Sequence, residues 1–274
     1  MDWVATTAPA MNSLSAGFSD LQSPSLAEVG PVVLVLLPGM DGTGELFAPF
    51  VAALGKTTPV VVVSYPTSGS PQTYADLTEL ATSALPPNGR LVLLGESFSG
   101  PIAISLAAAY PGRVVGVVLC CSFVRNPRPG LRWLSGLATM PVPLPPAPIL
   151  DLMLLGRFAT PGPRVMLRST LAKVQTAVLR SRLRAVASVD VRAHAKAIDA
   201  PVLYLKGIRD RLVPQSSVSD AEQCLRQIRV QAFDAPHCLL QAIPQEAAAV
   251  VADFVRNVAT PRKSSAVHEW DARA

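Results

Sequence analysis

Short, unbroken apolar runs recur along the chain from residue 31 onward, and turn-forming residues bound each of them. The first run, VVLVLL at residues 32–37, stops at Pro38 and Gly39. Runs of this kind, rich in β-branched residues, are typical of strands buried on both faces of a parallel sheet. Similar runs occupy residues 59–64, 90–94, 114–120 and 201–205, and a further candidate strand lies near 230–233.

Stretches with the pattern of helices lie between these runs, and one closes the series. They cover residues 45–54, 74–85, 101–109, 215–228 and 245–258. Strand and helix therefore alternate along the chain. This alternation predicts an α/β fold with a doubly wound, mostly parallel sheet and helices on both of its faces.

The alternation is interrupted between residues 123 and 200. Nine prolines fall within residues 127–163, too many for a regular layer of helix and strand, and residues 165–187 then favour a helix. We expect a helical, Pro-rich cap insertion at about 125–198, although a linker to a separate small domain would show the same pattern. The predicted domains are a loosely ordered leader at 1–30, a main domain at 31–258 and a polar tail at 259–274.

The sequence LVLLGESFSG at residues 91–100 predicts a buried strand, a sharp turn centred on Ser97 and then a helix. Such a turn holds a serine hydroxyl out at the top of a sheet in a strained backbone conformation, and small neighbours are needed around it. Gly95 supplies one. Ser99 stands where the usual pattern has glycine, a mild departure, and Gly100 follows. An ordinary strand–helix turn is the alternative interpretation.

A nucleophilic serine needs a base, and the chain has three histidines. His268 lies in the polar tail, and His194 lies where the insertion returns to the main domain, so we expect both on the surface. His237 follows a candidate strand and precedes the closing helix. A base in that position reaches the carboxyl edge of a parallel sheet. His237 is therefore the predicted base for Ser97.

The base in turn needs a carboxylate that fixes its tautomer. Asp210 follows a buried strand directly and is the predicted partner of His237. Its alternative role is that of a turn aspartate paired with Arg209 or Arg211. Asp234 is the rival carboxylate, but it stands only three residues before His237 and is expected to point away from the imidazole.

Two backbone N–H groups aimed at one point are needed to stabilise an oxyanion. Phe98, directly after the predicted nucleophile, should supply one of them. Met40 should supply the other, because it follows the glycine in the loop LPGMDGTG after the first strand. This loop has neither the glycine spacing of a dinucleotide site nor the Lys-Ser/Thr ending of a phosphate-binding loop.

Taken together, these motifs resemble those of the α/β-hydrolase superfamily, and in particular those of its serine esterases and lipases. LPGMDGTG, GESFSG, GIRDRLVP and APHCLLQAIP occur in the order that the superfamily uses for its serine, aspartate and histidine. The resemblance covers nearly all of the chain from Pro31 to about Val258. It implies Ser97, Asp210 and His237 as a catalytic triad, with Met40 and Phe98 as the oxyanion hole.

Composition narrows the possible partners and the compartment. The 274 residues carry a net charge of +5, but the basic residues are scattered, which argues against nucleic-acid binding. No apolar stretch is long enough to span a bilayer, and the N-terminus lacks the features of a signal peptide. The four cysteines have no metal-ligand spacing. We therefore expect a cytoplasmic protein without metal or organic cofactor and without stable membrane insertion; oligomeric state is left open.

The predicted function is hydrolysis of small carboxylic esters with short to medium acyl chains through an acyl-enzyme on Ser97. Apolar cap residues such as Leu152, Met153 and Leu155 suit an acyl chain, although they would equally suit a cover for the core. Thioesterases, C–C bond hydrolases and acyltransferases share the fold, so these activities remain alternatives. A non-catalytic member that binds a small ligand is a further alternative.

Overall fold

The computed structural model describes residues 31–130 and 145–260 of the chain. The predicted leader at 1–30, nearly all of the predicted tail at 259–274 with His268, and residues 131–144 of the Pro-rich segment lie outside these ranges.

Six parallel strands form one sheet in the order β2-β1-β3-β4-β5-β6. Their bounds are β1 Val33–Leu37, β2 Val60–Val62, β3 Leu91–Glu96, β4 Val114–Cys120, β5 Val202–Gly207 and β6 Ile228–Phe233. Because β1 and β3 are neighbours in this order, the chain runs from β1 to the edge strand β2 and then from β3 through β4 and β5 to the other edge strand, β6. The predicted doubly wound parallel fold is confirmed.

Helices cover both faces of this sheet. Their bounds are α1 Ala48–Leu54, α2 Tyr74–Ser83, α3 Gly100–Ala109, α4 Ala147–Leu154, α5 Pro161–Ala172, α6 Thr176–Ser188, α7 Arg192–Lys196, α8 Ser216–Cys224, α9 Leu239–Ala242 and α10 Pro244–Ala259. Side chains alternate along β1, so that Val35 and Leu37 join one core cluster, whereas Leu34 and Leu36 join the other. Burial on both faces explains why the strands are unbroken apolar runs.

Helices α4 to α7 lie between β4 and β5, in the region of the predicted cap insertion. These helices agree with the expected helical insertion, but α4 is a regular helix within the Pro-rich part, where the prolines indicate irregular chain. Pro148 lies in the first turn of α4, and Pro161 begins α5. Proline is tolerated at such positions because the first N–H groups of a helix have no partner within it. These prolines therefore start helices instead of breaking them.

Two helix predictions differ from the structure by more than three residues. The single helix expected at 165–187 is divided into α5 and α6, because Gln175 leaves the helical conformation and its N–H donates to the carbonyl of Thr67 at 2.8 Å. Buried Val174 packs at the same break. The helix expected at 215–228 ends at Cys224, and Ile228 already begins β6.

Helices α4 and α5 pack on the main domain through a small apolar cluster. Leu155 and Leu167 of this region contact Leu46, in a 3₁₀ turn before α1, and Cys238, directly before α9. Lys173 adds an ion pair with Glu45, with 2.6 Å between Nζ and Oε2. All four cysteines of the chain are buried and free. In the part of the chain that the structure describes, no helix is long and apolar enough to cross a membrane.

Candidate active site

Ser97 occupies a strained turn between β3 and α3. Its backbone φ is 48°, in a region that favours glycine, and a single 3₁₀ turn at Ser97–Ser99 leads into α3. A Cβ on Gly95 would lie 2.6 Å from the carbonyl oxygen of Ser99, and one on Gly100 would lie 1.8 Å from Ser122 Oγ. The turn therefore requires glycine at 95 and 100, and the strain holds Ser97 out at the carboxyl end of β3.

The departure from the usual pattern at Ser99 has a structural explanation. The Ser99 side chain is fully buried, and its hydroxyl donates to the carbonyl of Pro38 while lying 2.9 Å from Tyr65 Oη. Because Ser99 donates to Pro38, the Tyr65 hydroxyl donates to Ser99. A small polar side chain therefore fits here, and the crowding that requires glycine falls on Gly100.

Ser97, His237 and Asp210 form a continuous hydrogen-bonded set. Ser97 Oγ lies 2.8 Å from His237 Nε2, and His237 Nδ1 lies 2.8 Å from Asp210 Oδ2. The side chains of His237 and Asp210 are only 6% and 5% exposed, so water does not compete for these bonds. The structure thus brings together the three side chains that the sequence singled out, although they lie far apart along the chain.

Asp210 is held as a carboxylate. Its Oδ1 accepts the backbone N–H groups of Leu212 and Val213 at 2.8 and 3.0 Å, while Oδ2 faces His237. Burial acts to raise the pKa of Asp210, but the His237 imidazole and these two N–H groups outweigh it, so the pKa lies below its usual value. An ionised Asp210 accepts from His237 Nδ1–H, which leaves Nε2 free to accept a proton from Ser97.

Asp234 lies away from the imidazole, in the position of a surface carboxylate. Its side chain is 48% exposed and accepts from Arg209 Nε at 2.7 Å, with Arg157 bonded to the other carboxylate oxygen. Arg209, the alternative partner of Asp210, therefore pairs with Asp234. His194 is exposed as expected, and its Nδ1 lies 3.1 Å from Ser105 Oγ.

The two predicted oxyanion-hole residues flank Ser97. Met40 lies in the loop after β1 and lines the same cavity as Ser97 and His237. Phe98 follows Ser97 in the turn; its ring stacks on Tyr74 with 4.7 Å between centroids, and the Tyr74 hydroxyl donates to its carbonyl at 3.0 Å. These contacts anchor the turn at Phe98, as a preorganised donor requires.

A cavity of about 280 Å³ opens onto Ser97 and His237. Its wall is mostly apolar and includes side chains from α4, α5 and α6, namely Leu150, Met153, Leu154, Leu167, Leu171, Leu179 and Leu183. Of the three cap residues named from the sequence, only Met153 lines it. Leu152 is 51% exposed, and Leu155 is buried in the cluster with Leu46.

Two buried carboxyl groups at this cavity were not predicted from the sequence. Asp41 and Glu96 both line it, and Glu96 Oε1 accepts from Gln241 Nε2 at 3.0 Å. Burial raises the pKa of Glu96 to about 7; the Gln241 bond opposes this shift and nearby Asp41 adds to it. The sequence signal for Glu96 is a glutamate at the end of an otherwise apolar strand. The residues around it belong to other elements, so no local pattern indicates its hydrogen bond or its raised pKa.

A larger groove, of about 940 Å³, lies between α2, α6 and α7 and includes Ser105 and His194. Ser105 lies within the regular helix α3, so no strained turn presents its hydroxyl as at Ser97. The smaller cavity, which Ser97 and His237 line, is therefore the candidate active site. In the described ranges, no group of three or more His, Cys, Asp or Glu side chains is arranged to hold a metal ion.

A doubly wound parallel sheet with a bonded serine, histidine and aspartate beyond its carboxyl edge is the architecture of the α/β-hydrolases. The sequence model of the alpha/beta hydrolase family matches residues 34–254. The chain therefore belongs to the alpha/beta hydrolase family.

One curated relative and several solved structures resemble the chain. The biotin biosynthesis bifunctional protein BioHC of Cellvibrio japonicus is 28% identical over 83% of this chain and 48% of its own length, so the chain spans about half of that relative. The lipase-esterase related protein of Clostridium acetobutylicum superposes with a TM-score of 0.68 at 16% identity, over 83% of this chain and 94% of that one.

Two further solved structures have a similar fold. The enol-lactonase of Burkholderia xenovorans has a TM-score of 0.63 at 22% identity, and a thermophilic esterase of Thermogutta terrifontis has 0.66 at 20%; each covers 85% of this chain and 92% of its own. At these identities, the likeness shows the fold.

Proposed function

We propose that the protein is a serine hydrolase that cleaves carboxylic esters of short to medium acyl chains through an acyl-enzyme on Ser97. The observation that carries the proposal is the hydrogen-bonded row of Ser97, His237 and Asp210, with Ser97 at a φ of 48° and its Oγ 2.8 Å from His237 Nε2. An activated serine on a strained turn is the arrangement that acyl transfer requires.

In the first half of the proposed reaction, Ser97 Oγ attacks the ester carbonyl carbon and His237 Nε2 takes the hydroxyl proton. The electron pair of the carbonyl moves to its oxygen, which the N–H groups of Met40 and Phe98 stabilise. The carbonyl then re-forms, the bond to the alcohol breaks, and the alcohol leaves with the proton from His237. Asp210 remains a carboxylate and stabilises the imidazolium meanwhile.

Water completes the cycle in the same way. His237 takes a proton from a water molecule, whose oxygen attacks the acyl carbon bound to Ser97. The second tetrahedral intermediate collapses, the bond to Ser97 Oγ breaks, and His237 returns a proton to the serine. The acid is released and the resting enzyme is restored.

The cavity supports the proposed size of the acyl group. Its volume of about 280 Å³ lies just below the ~300–1,000 Å³ of ordinary ligand sites, and its wall is mainly apolar. A small apolar cavity beside the nucleophile suits a short to medium acyl chain. Two of the similar structures are described as esterase or lipase-esterase related, which makes esters the first substrates to test.

A fluorophosphonate probe tests the proposal directly, since it forms a covalent bond only with an activated serine. We expect the probe to label Ser97, with the site mapped by peptide mass spectrometry, and labelling to be lost in Ser97→Ala. Ser105→Ala is the matched control, because Ser105 also contacts a histidine but lies within a helix. Labelling at another serine, or ester hydrolysis without labelling, would exclude the proposed mechanism.

A panel of p-nitrophenyl esters, thioesters and vinylogous diketones then separates the alternatives within the family. We expect the highest kcat/KM on short to medium esters. A clear preference for thioesters or for C–C cleavage would reassign the activity, and acyl transfer to an added alcohol in preference to water would indicate an acyltransferase. Absence of turnover on every substrate, with no labelling, would favour the non-catalytic member.

A further inference from the structure

Arg182 of α6 is a fully buried arginine whose side chain donates hydrogen bonds to Met40, Pro66 and Gln72 of the main domain. Its Nη1 donates to the carbonyl of Met40 at 2.7 Å, and its Nη2 donates to the carbonyl of Pro66 at 2.9 Å and to Gln72 Oε1 at 2.8 Å. The guanidinium also lies over the Tyr65 ring, 5.7 Å from its centroid. A buried charge is retained at considerable cost in desolvation, so a residue with this many fixed partners calls for an explanation.

The carbonyl of Met40 belongs to the peptide unit next to the one that carries the Met40 N–H, which the proposed function uses as an oxyanion donor. Arg182 therefore fixes the orientation of the Met40–Asp41 peptide. The Arg182 guanidinium packs closely against this loop, since a Cβ added at Gly42 would lie 2.5 Å from Arg182 Nη1. Gly42 also has a φ of 75°, a backbone conformation that favours glycine. Met40 and Arg182 are 142 residues apart in sequence.

The peptide on the other side of the Gly39–Met40 unit in sequence is fixed as well. The carbonyl of Pro38, in the Pro38–Gly39 peptide, accepts from the Ser99 hydroxyl, and Tyr65 donates to Ser99. The central Gly39–Met40 peptide is held as well, since the Gly39 carbonyl accepts the Gly42 N–H at 3.1 Å. In a trans peptide the N–H points opposite to the carbonyl, so these three bonds together set the direction of the Met40 N–H.

We propose that Arg182 and Ser99 are positioning residues that clamp the loop after β1 and aim the Met40 N–H at the oxyanion. This inference rests on the proposed function. Neither side chain touches the reacting atoms; each acts through a carbonyl of the loop. Preorganised donors stabilise the transition state because they need no reorientation when charge develops on the substrate oxygen. The clamp also makes α6 part of the machinery that completes the oxyanion hole.

Arg182→Gln and Ser99→Ala test the clamp, with Arg184→Gln as the matched control for an exposed arginine of the same helix. We expect each test variant to lower kcat for p-nitrophenyl butyrate by about 10- to 100-fold with KM nearly unchanged, since loss of a complete oxyanion donor lowers kcat by about 10²- to 10³-fold. Arg182→Lys should recover part of the loss, because its ammonium still donates to Met40. Arg184→Gln should match the unmodified protein.

A trifluoromethyl ketone with a butyl chain distinguishes positioning from a merely structural role. Its adduct with Ser97 carries an oxyanion, so its affinity should fall in Arg182→Gln and Ser99→Ala by the same factor as kcat, whereas binding of the product butyrate should not change. If Arg182→Gln does not fold, as judged by circular dichroism, Ser99→Ala and Arg182→Lys are measured alone.

Full kcat in the folded test variants, a raised KM at unchanged kcat, or an equal loss in Arg184→Gln would each overturn the clamp. A failure of the proposed function would give a different result. The unmodified protein would then itself show neither fluorophosphonate labelling at Ser97 nor ester hydrolysis.

Discussion

The two aspartates near His237 differ in environment in a way that separates their roles. Asp210 is buried, bonded to His237 Nδ1 and held by two backbone N–H groups, whereas Asp234 is half exposed and bonded to Arg209 and Arg157. A carboxylate that orients the base must contact the imidazole. Only Asp210 does so.

Asp210→Asn is therefore expected to lower kcat by about 10³- to 10⁴-fold, by comparison with the same change in other serine hydrolases, since the amide favours the wrong histidine tautomer. Asp234→Asn removes surface ion pairs and should change kcat by about twofold at most. Steady-state kinetics on one p-nitrophenyl ester measures both. A larger loss in Asp234→Asn would show that the carboxylate has been assigned wrongly.

At the scale of single residues, the sequence was informative where a local pattern carries a function. Ser97 stands in a recognisable strand–turn–helix, and Asp210 and His237 each follow a strand of the same parallel sheet, so their meeting could be predicted from topology. The positioning roles proposed for Arg182 and Ser99 could not be recognised, although Ser99 stands out in its motif, because their partners lie on loops distant in sequence. An arginine on an amphipathic helix gives no sign that it will be buried.

Helix α4 presents two adjacent side chains to different environments. Met153 lines the cavity beside Ser97, whereas Leu152 is 51% exposed. Each methylene of a bound acyl chain contributes about 0.8 kcal/mol, or about fourfold in kcat/KM, until the cavity is full. Under the proposed function, we therefore expect the cavity volume to set the preferred acyl-chain length.

Met153→Ala should enlarge the cavity and shift the optimum among p-nitrophenyl esters toward longer acyl chains, while acetate is still hydrolysed. Leu152→Ala, its neighbour on the same helix, should leave the profile unchanged. The measurement is kcat/KM from acetate to decanoate for the three proteins. A profile that is flat, or that responds equally to both substitutions, would show that α4 only covers the core.

At the scale of elements, the buried strands were predictable because both faces of the sheet are covered and each strand is thus apolar throughout. Between β4 and β5, the helical pattern of residues 165–187 was predictable, but α4 and the division between α5 and α6 were not. The prolines indicate irregular chain yet lie in the first turns of α4 and α5, and the break at Gln175 depends on a contact with Thr67 across the molecule. Long-range contacts of this kind leave no periodic signal.

The pKa of Glu96 links the site to the stability of the whole molecule. Burial, with Asp41 adding to it, raises this pKa from 4.5 to about 7, whereas the Gln241 bond and the imidazole of His237 act in the opposite direction. Between these pH values the folded protein holds a proton that the unfolded chain has released. The stabilisation from a protonated Glu96 is therefore present at low pH and is lost as pH rises toward about 7.

Glu96→Gln replaces the titrating group with a neutral one of similar shape, so the variant should lack this pH dependence. From pH 5.5 to pH 8, the free energy of unfolding of the unmodified protein should fall by about 2 kcal/mol more than that of Glu96→Gln. Urea titrations at the two pH values measure it. Exposed Glu222→Gln is the control and should follow the unmodified protein. Parallel pH dependence in all three proteins would rule out the raised pKa.

Ester hydrolysis by Ser97→Ala tests the central claim most directly, because every step of the proposed reaction passes through the Ser97 hydroxyl. The variant removes one oxygen from a turn that other contacts hold, so it should fold normally by circular dichroism. We predict that its kcat for p-nitrophenyl butyrate falls by about 10⁴- to 10⁶-fold. A folded Ser97→Ala variant that keeps more than about a tenth of the original kcat would contradict the account.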